Sequence, residues 1–245
     1  MSGFDSVLLI AFGGPEKIQD VRPFLEIVSA GRRIPPERLE EVARHYERIG
    51  GRSPLNELTM RQAEGLRRAL QRDGMPTPVY VGMRNWHPFL HETLAEMRDR
   101  GCRRALGIIL SSFQTEASWE RYVADVSAAR EKVGAGAPEV VYAPPWSEHP
   151  GFIDAMASRA AAALAQVPAQ ETVEKRADAL VIFTAHSVPV AMASGSPYAR
   201  QIEAAALVIA GRLGHARWRV AYQSRSGAPS DPWLEPDICG AIRGA

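Results

Sequence analysis

Leu180-Val181-Ile182-Phe183-Thr184-Ala185-His186-Ser187-Val188-Pro189 is the stretch whose reading decides the fold. Its first five residues are apolar or β-branched, with no alternation of polar positions. Such a run reads as a buried strand of a parallel sheet. Pro189 lacks a backbone N–H and stops regular continuation. In open α/β sheets ligands gather outside the carboxyl ends of the strands, where the loops begin. His186, ordinarily titrating near 6.5, therefore stands where such folds keep their chemistry. The plainer alternative is a histidine that merely hydrogen-bonds near a strand end.

Outward from that strand the chain alternates. Strands are expected at residues 6–12, 79–83, 105–110 and 139–142, then at the His186 stretch and at 218–223. Helices are expected at 88–100, 117–133, 151–166 and 198–213. Strands alternating with helices argue for α/β architecture with right-handed crossovers. The expectation is two Rossmann-like halves with parallel sheets: residues 1–145, and 146–245 carrying His186, with the break near Pro144-Pro145. The first half holds a long insertion, about residues 13–77, between its first two strands. Helices are expected there behind Asp20 (Val21, Phe24, Leu25 and Val28 on one face), behind Pro36, and behind Ser53-Pro54, where Leu58, Leu66 and Leu70 line the third. That insertion far exceeds a minimal crossover, and such insertions usually build a pocket wall or lid. After Trp233-Leu234-Glu235-Pro236 another helix is expected to open with Pro236 in its first turn. Two strands leave one face of a sheet uncovered, so the second half reads as incomplete.

Composition bounds the function. The chain has 245 residues, is 46% hydrophobic and 23% charged, and has a formal net charge of +1. Bulk charge gives no reason to expect a nucleic-acid partner. The basic cluster at Arg98, Arg100, Arg103 and Arg104 reads as a solvated helix-to-strand turn. Cys102 and Cys239 cannot supply the four ligands of a Cys-only iron–sulfur cluster, so no such cluster is expected, and a reduced, cytoplasmic setting fits. The apolar run at 7–12 is short and ends at Gly13-Gly14-Pro15, a first strand and not a signal peptide. No stretch approaches the roughly 20 apolar residues that span a bilayer, although peripheral membrane contact stays open. Gly13-Gly14 permits a tight turn or close approach to a ligand. Neither GxGxxG nor a Walker pattern is present, which leaves a nucleotide reading little support.

Several stretches, in order, are similar to one known family. They are Ala11-Phe12-Gly13-Gly14-Pro15; Tyr46 with Gly50-Gly51-Arg52-Ser53-Pro54-Leu55; and Tyr80-Val81-Gly82-Met83-Arg84. Val181 to Pro189 with Gly195-Ser196-Pro197-Tyr198 follows, then Tyr222 to Gly227 leading to Trp233-Leu234-Glu235-Pro236. Together they resemble ferrochelatase, which inserts ferrous iron into a porphyrin. The resemblance implies a lyase of haem biosynthesis whose substrates are Fe2+ and a coproporphyrin or protoporphyrin. It implies that His186 receives the metal, the pyrrole protons, or both. Metallation removes two pyrrole N–H protons, so a base of near-neutral pKa is needed, and neutral imidazole also ligates ferrous iron. Ser187 and Pro189 would fix the loop that carries it. By the same resemblance Tyr46, Ser53 and Tyr122 touch the porphyrin, while Arg32 and Arg33 suit its propionates on charge grounds. Core packing is the alternative for both tyrosines, and a plain helix cap for Ser53.

The chain departs from that pattern in places. Phe12 stands where relatives often carry a tyrosine able to reach the metal. Ser29 and His45 stand where some carry arginine, and Ser196 replaces an aspartate. The glutamate that the family pairs with its histidine would lie beyond the Trp233–Pro236 segment, so the chain reads as truncated at the carboxyl end. Asp231, Glu235 and Asp237 are not expected to substitute for that glutamate. The competing reading is a truncated homologue that binds porphyrin or metal without inserting it. A generic nucleotide or phosphometabolite enzyme using Gly13-Gly14 is a third.

Overall fold

The computed structural model describes residues 3–31, 34–166, 179–225 and 231–245. It divides into two compact units, Met1–Ser111 with Trp119–Pro144, and Ser112–Ser118 with Pro145–Ala245.

In the first unit, β1 (Ser6–Ala11) is buried at every position. It lies between β2 (Val79–Met83) and β3 (Arg104–Ile109), and β4 (Glu139–Tyr142) closes the order β2-β1-β3-β4. All pairings are parallel, with Leu8 opposite both Tyr80 and Gly107. A central parallel strand is covered on both faces, which is why its sequence is a continuous apolar run. One face carries Leu8 and Ile10 against Leu90, Leu94 and Met97 of α4 (Leu90–Asp99) and Tyr122 and Val126 of α5 (Arg121–Val133). The other carries Val7, Leu9 and Ala11 against Ala63 and Leu70 of α3 (Leu55–Arg72). Ahead of α3, the insertion forms α1 (Val21–Ser29) and α2 (Pro36–Arg48). Val21, Phe24 and Leu25 of α1 pack on Ala43 of α2, with Val28 and Tyr46 alongside.

Several sequence expectations need correction. Leu58 does not line the core; it is 47% exposed. The buried stripe of α3 is Asn56, Thr59, Ala63 and Leu70, and a helix that buries 56, 59 and 63 turns position 58 away from them. Ser53 is not the N-cap, a place taken by Pro54, yet its hydroxyl accepts the Leu55 N–H at 3.3 Å. Helix α4 starts at Leu90, because the Glu92 carboxylate accepts the Phe89 N–H at 2.8 Å and caps the helix there. Helix α5 begins at Arg121, since residues Glu116–Glu120 wind more widely as a π-type turn. The arginine cluster is indeed solvated and paired: Arg98 with Asp99, Arg100 with Glu96, and Arg104 with Glu139.

In the second unit β5 (Val181–His186) pairs in parallel with β6 (Trp218–Gln223), and His186 stands opposite Gln223. Helices α6 (Pro150–Leu164), α7 (Val190–Ser194), α8 (Tyr198–Leu213) and α9 (Ile238–Arg243) accompany them. Here too the expectation changes. The apolar run is not a buried strand: Val181, Ile182 and Phe183 are half-buried, Thr184 is exposed, and only Ala185 is buried. Among the described residues β5 has a neighbour along one edge only. The strand also runs two residues further than the apolar run, so His186 is its last residue and not the start of the loop. Pro236 lies before α9, whose N-cap is Asp237. No helix among the described residues is long and apolar enough to cross a membrane.

Leu94 is fully buried in the core over β1. Leu94→Ala is expected to destabilise the protein by about 2–5 kcal/mol, read as a lower urea midpoint with unchanged slope.

Candidate functional site

The predicted site residues fall in both units, and each group is built by its own strands. In the first unit the chain leaving β1 is pressed between two neighbours. Gly13 has φ +83, and a Cβ there would stand 2.9 Å from the Trp86 backbone nitrogen. A Cβ on Gly14 would stand 2.8 Å from Cβ of Ser53. The glycines are thus required by close approach of the protein's own chain. Asn56 fixes this turn: its Oδ1 accepts the Gly14 N–H at 2.9 Å and its Nδ2 donates to the Gly14 carbonyl at 3.0 Å. Ser53 joins the same turn by donating its N–H to the Pro15 carbonyl at 2.8 Å.

Around that turn the aromatic rings form a chain of edge-to-face contacts. Phe24 lies 5.9 Å from Tyr46, 6.2 Å from Trp86 and 6.3 Å from Phe12, centroid to centroid. Arg84, just past the end of β2, continues it, with its guanidinium 5.8 Å from the Phe12 ring and 4.8 Å from the Tyr122 ring. Tyr46 and Tyr122 are therefore linked through Phe24, Phe12 and Arg84, while Ser53 lies against Gly14. Burial raises the pKa of Tyr46. Burial also pushes the Tyr122 phenol up to about 12, against the opposing pull of Arg84. Both stay protonated at neutral pH and can donate a hydrogen bond. His45 is exposed and Ser29 half-buried, and the Ser29 hydroxyl donates to the Glu26 carbonyl. Arg32 and Arg33 lie outside the described residues.

In the second unit the end of β5 is held from two directions. The Tyr198 hydroxyl, at the start of α8, donates to the His186 carbonyl at 2.9 Å. The segment 232–236 runs alongside as a strap. Ser187 is fully buried; its N–H donates to the Gln223 carbonyl at 2.7 Å and its hydroxyl to the Leu234 carbonyl at 3.0 Å. The Leu234 N–H donates to the Val188 carbonyl at 3.1 Å, and the Val190 N–H to the Pro232 carbonyl at 2.9 Å. Ala185, Val188, Tyr198 and Tyr222 pack together beneath, with Leu234 alongside. The backbone of His186 is thus fixed while the residue itself remains solvent-accessible. Enough protein surrounds the ring for desolvation to lower its pKa below 6.5. Neutral imidazole, the form that accepts a proton or ligates a metal, is favoured.

The acidic residues near the strap have other partners. Asp237 caps α9 by accepting the Cys239 and Gly240 N–H groups, and Glu235 pairs with Arg225 at 2.9 Å. Asp231 is exposed. Among the described residues no cluster of three or more His, Cys, Asp or Glu side chains is arranged to hold a metal.

Compared with known proteins, residues 5–245 match the family model described as Ferrochelatase. The chain belongs to the ferrochelatase family. Its similarity to the coproporphyrin III ferrochelatase of Mycobacteroides abscessus is 44% identity over 238 residues, covering 96% of this chain and 68% of that protein. The coproporphyrin III ferrochelatase of Mycobacterium avium is 44% identical over 243 residues, covering 98% of the chain and 68% of the relative. The ferrochelatase of Rhodopirellula baltica is 41% identical over 239 residues, covering 98% and 67%. Ferrochelatases are enzymes that insert a metal into a porphyrin, and the parallel α/β halves of this chain are the family's two-domain Rossmann-like fold.

Sequence reasoning gave no site role to five residues of these clusters: Phe24, expected only on a helix face, Arg84, quoted only as the end of a motif, and Asn56, Trp86 and Asp125, the last paired with Arg84 at 2.6 Å. For Arg84 there was a signal, an arginine directly after a buried strand. Asn56 and Asp125 gave none, being ordinary polar positions on helices.

The lowered pKa of His186 has a signed consequence for stability. The unfolded chain takes up the proton near 6.5 and the folded chain only at lower pH. Above 6.5 the residue contributes nothing to pH dependence. As pH falls from 6.5 to the folded midpoint, it costs stability. An imidazole NMR titration is expected to give a midpoint below 6.5 for His186, and His186→Gln to flatten the loss of urea stability across that window.

Proposed function

We propose that this ferrochelatase-family chain inserts ferrous iron into coproporphyrin III in haem synthesis, with His186 as the residue that meets the metal and the pyrrole protons. The observation that carries the proposal is the anchored end of β5. A histidine whose backbone is held by Tyr198 while the Leu234 strap holds Ser187, and whose neutral form is favoured by desolvation, suits a base that accepts protons from a bound macrocycle. Coproporphyrin is favoured over protoporphyrin by the similarity to the coproporphyrin III ferrochelatases of Mycobacteroides abscessus and Mycobacterium avium.

In this reading residues 1–145, with the insertion at about 13–77, carry the porphyrin contacts. Residues 146–245 carry the histidine. Tyr46, Ser53 and Tyr122 touch the macrocycle, the tyrosines as protonated donors on an aromatic wall. Arg32 serves a propionate on charge grounds. Phe12 offers a ring with no lone pair, so position 12 supplies no oxygen that could ligate a metal. Iron and porphyrin enter as substrates, no iron–sulfur cluster is expected, and the setting is cytoplasmic.

Each turnover removes two protons from the pyrrole nitrogens. His186, neutral at the start, accepts the two protons one after the other at an imidazole nitrogen and releases each to solvent, which its exposure allows. The same nitrogen lone pair is the one able to receive ferrous iron before transfer.

His186→Ala is expected to lower metal insertion at least 100-fold, a loss typical of removing a general base, followed as the disappearance of free-porphyrin fluorescence. Turnover that persists in the variant would refute the role of His186. Porphyrin bound by the unmodified chain without metallation would identify a binding module instead.

A further inference from the structure

In the second unit the peptide group that joins His186 to Ser187 is held at both of its polar atoms. In a parallel ladder alternate residues of a strand turn their N–H and C=O groups to the same neighbour. On β5 these are the odd-numbered positions: the Val181 N–H donates to the Arg217 carbonyl at 3.0 Å and the Ser187 N–H to the Gln223 carbonyl at 2.7 Å. His186 therefore aims its own carbonyl at the opposite edge, where no strand is paired among the described residues. A partly buried carbonyl there needs another donor. The Tyr198 hydroxyl supplies it at 2.9 Å.

The His186 carbonyl and the Ser187 N–H belong to one planar unit. With Gln223 holding the N–H and Tyr198 the carbonyl, that plane cannot turn. The torsion ψ of His186 is thereby fixed, and with it the direction in which the Cα–Cβ bond sends the imidazole. Tyr198 is suited to the task. It is 8% exposed, and burial, helped by the neighbouring Tyr222, pushes its phenol up to about 12, so the hydroxyl is a donor throughout the neutral range. Its ring is set in turn by Ser112–Ser118, a segment distant in sequence that belongs to the same unit. Phe113 meets the Tyr198 ring edge to face at 6.3 Å, and one turn along α8 the Gln201 Oε1 accepts the Gln114 N–H at 2.9 Å. The Ser118 hydroxyl donates to the Phe113 carbonyl at 2.8 Å and folds the segment on itself.

We propose that Tyr198 is a positioning residue for metal insertion, its hydroxyl holding the imidazole of His186 on its target through the 186–187 peptide, with Phe113 acting through Tyr198. The proposal rests on the reading of His186 given above and adds what keeps that base aimed at the macrocycle. Its consequence is kinetic. A base that wanders spends less time at the pyrrole nitrogens, which lowers kcat. Porphyrin binding, carried by residues 1–145 in the same reading, keeps its KM.

The test is steady-state insertion of ferrous iron into coproporphyrin III by the full chain, with kcat and KM resolved. Tyr198→Phe, which removes one oxygen and keeps the ring, is expected to lower kcat about 5- to 20-fold and to leave KM for the porphyrin within about twofold. Ile202→Val, a methylene lost from the same core cluster, is the structural control, expected to lower the urea midpoint without changing kcat. Phe113→Leu is expected to lower kcat about 2- to 5-fold alone and to add little to Tyr198→Phe in the double variant. The proposal is overturned if Tyr198→Phe keeps the kcat of the unmodified chain, if its loss lies in KM, or if Ile202→Val loses kcat to the same degree. Full additivity of Phe113→Leu with Tyr198→Phe removes Phe113 from it. Should the unmodified chain insert no iron, or His186→Ala retain turnover, the reading of His186 fails and the positioning proposal with it. Loss in His186→Ala with none in Tyr198→Phe refutes the positioning proposal alone.

Discussion

Parallel pairing is the constraint from which each unit's chemistry follows. Strands that run the same way need helical crossovers to return the chain, and the crossovers leave every carboxyl end of a sheet on one side. In the first sheet this brings Phe12, after β1, to the same edge as Arg84, after β2. In the second it places His186 opposite Gln223, each the last residue of its strand. Loops at that edge are free of the hydrogen-bond ladder, so the backbone there is still available to turn. Phe12, Arg84 and His186 stand at strand ends for that reason, whereas Tyr46 and Tyr122 are carried by α2 and α5.

What surrounds those ends is shaped by close approach and by desolvation. Gly14 lets Ser53 lie almost against the backbone, and Asn56 ties the turn through both its amide groups. Buried amide-to-backbone bonds of this kind hold a loop that has no regular structure. In the second unit the same task is done by a strap of ordinary loop residues, whose Leu234 backbone both donates to and accepts from the His186 loop. Burial then sets protonation. The phenols of Tyr122 and Tyr198 are both pushed up to about 12, and the imidazole of His186 is pulled down. All three shifts favour the neutral group, the direction desolvation always takes.

Much of the first unit was legible in the chain. The continuous apolar run of β1 and the 3–4 spacing of α1 are consequences of burial on two faces and on one, and burial leaves a periodic mark. The expected helix over 198–213 and strands over 139–142 and 218–223 agree with the structure to the residue. The Tyr198 contact was foreshadowed by a motif, Gly195-Ser196-Pro197-Tyr198, without its purpose being visible. That purpose is a hydrogen bond across twelve residues to the His186 carbonyl. Leu58 misled because leucine spacing alone does not say which of two overlapping stripes faces inward. The β5 run misled for a related reason. Apolar, β-branched composition reports what a strand would suit, and the coverage it actually receives depends on its neighbours.

The sequence alone determined the α/β class, the order of strands and helices, and the placement of a titratable histidine at a strand end. It did so because local periodicity and turn chemistry are written in consecutive residues. The tertiary structure decided the rest: that Gly13 and Gly14 accommodate Trp86 and Ser53, that Arg84 lies buried between Phe12 and Tyr122 beside Asp125, and that a strap from 232–236 holds the loop after His186. Each of these joins residues tens of positions apart. Such contacts depend on distances in space, which no pattern along the chain records.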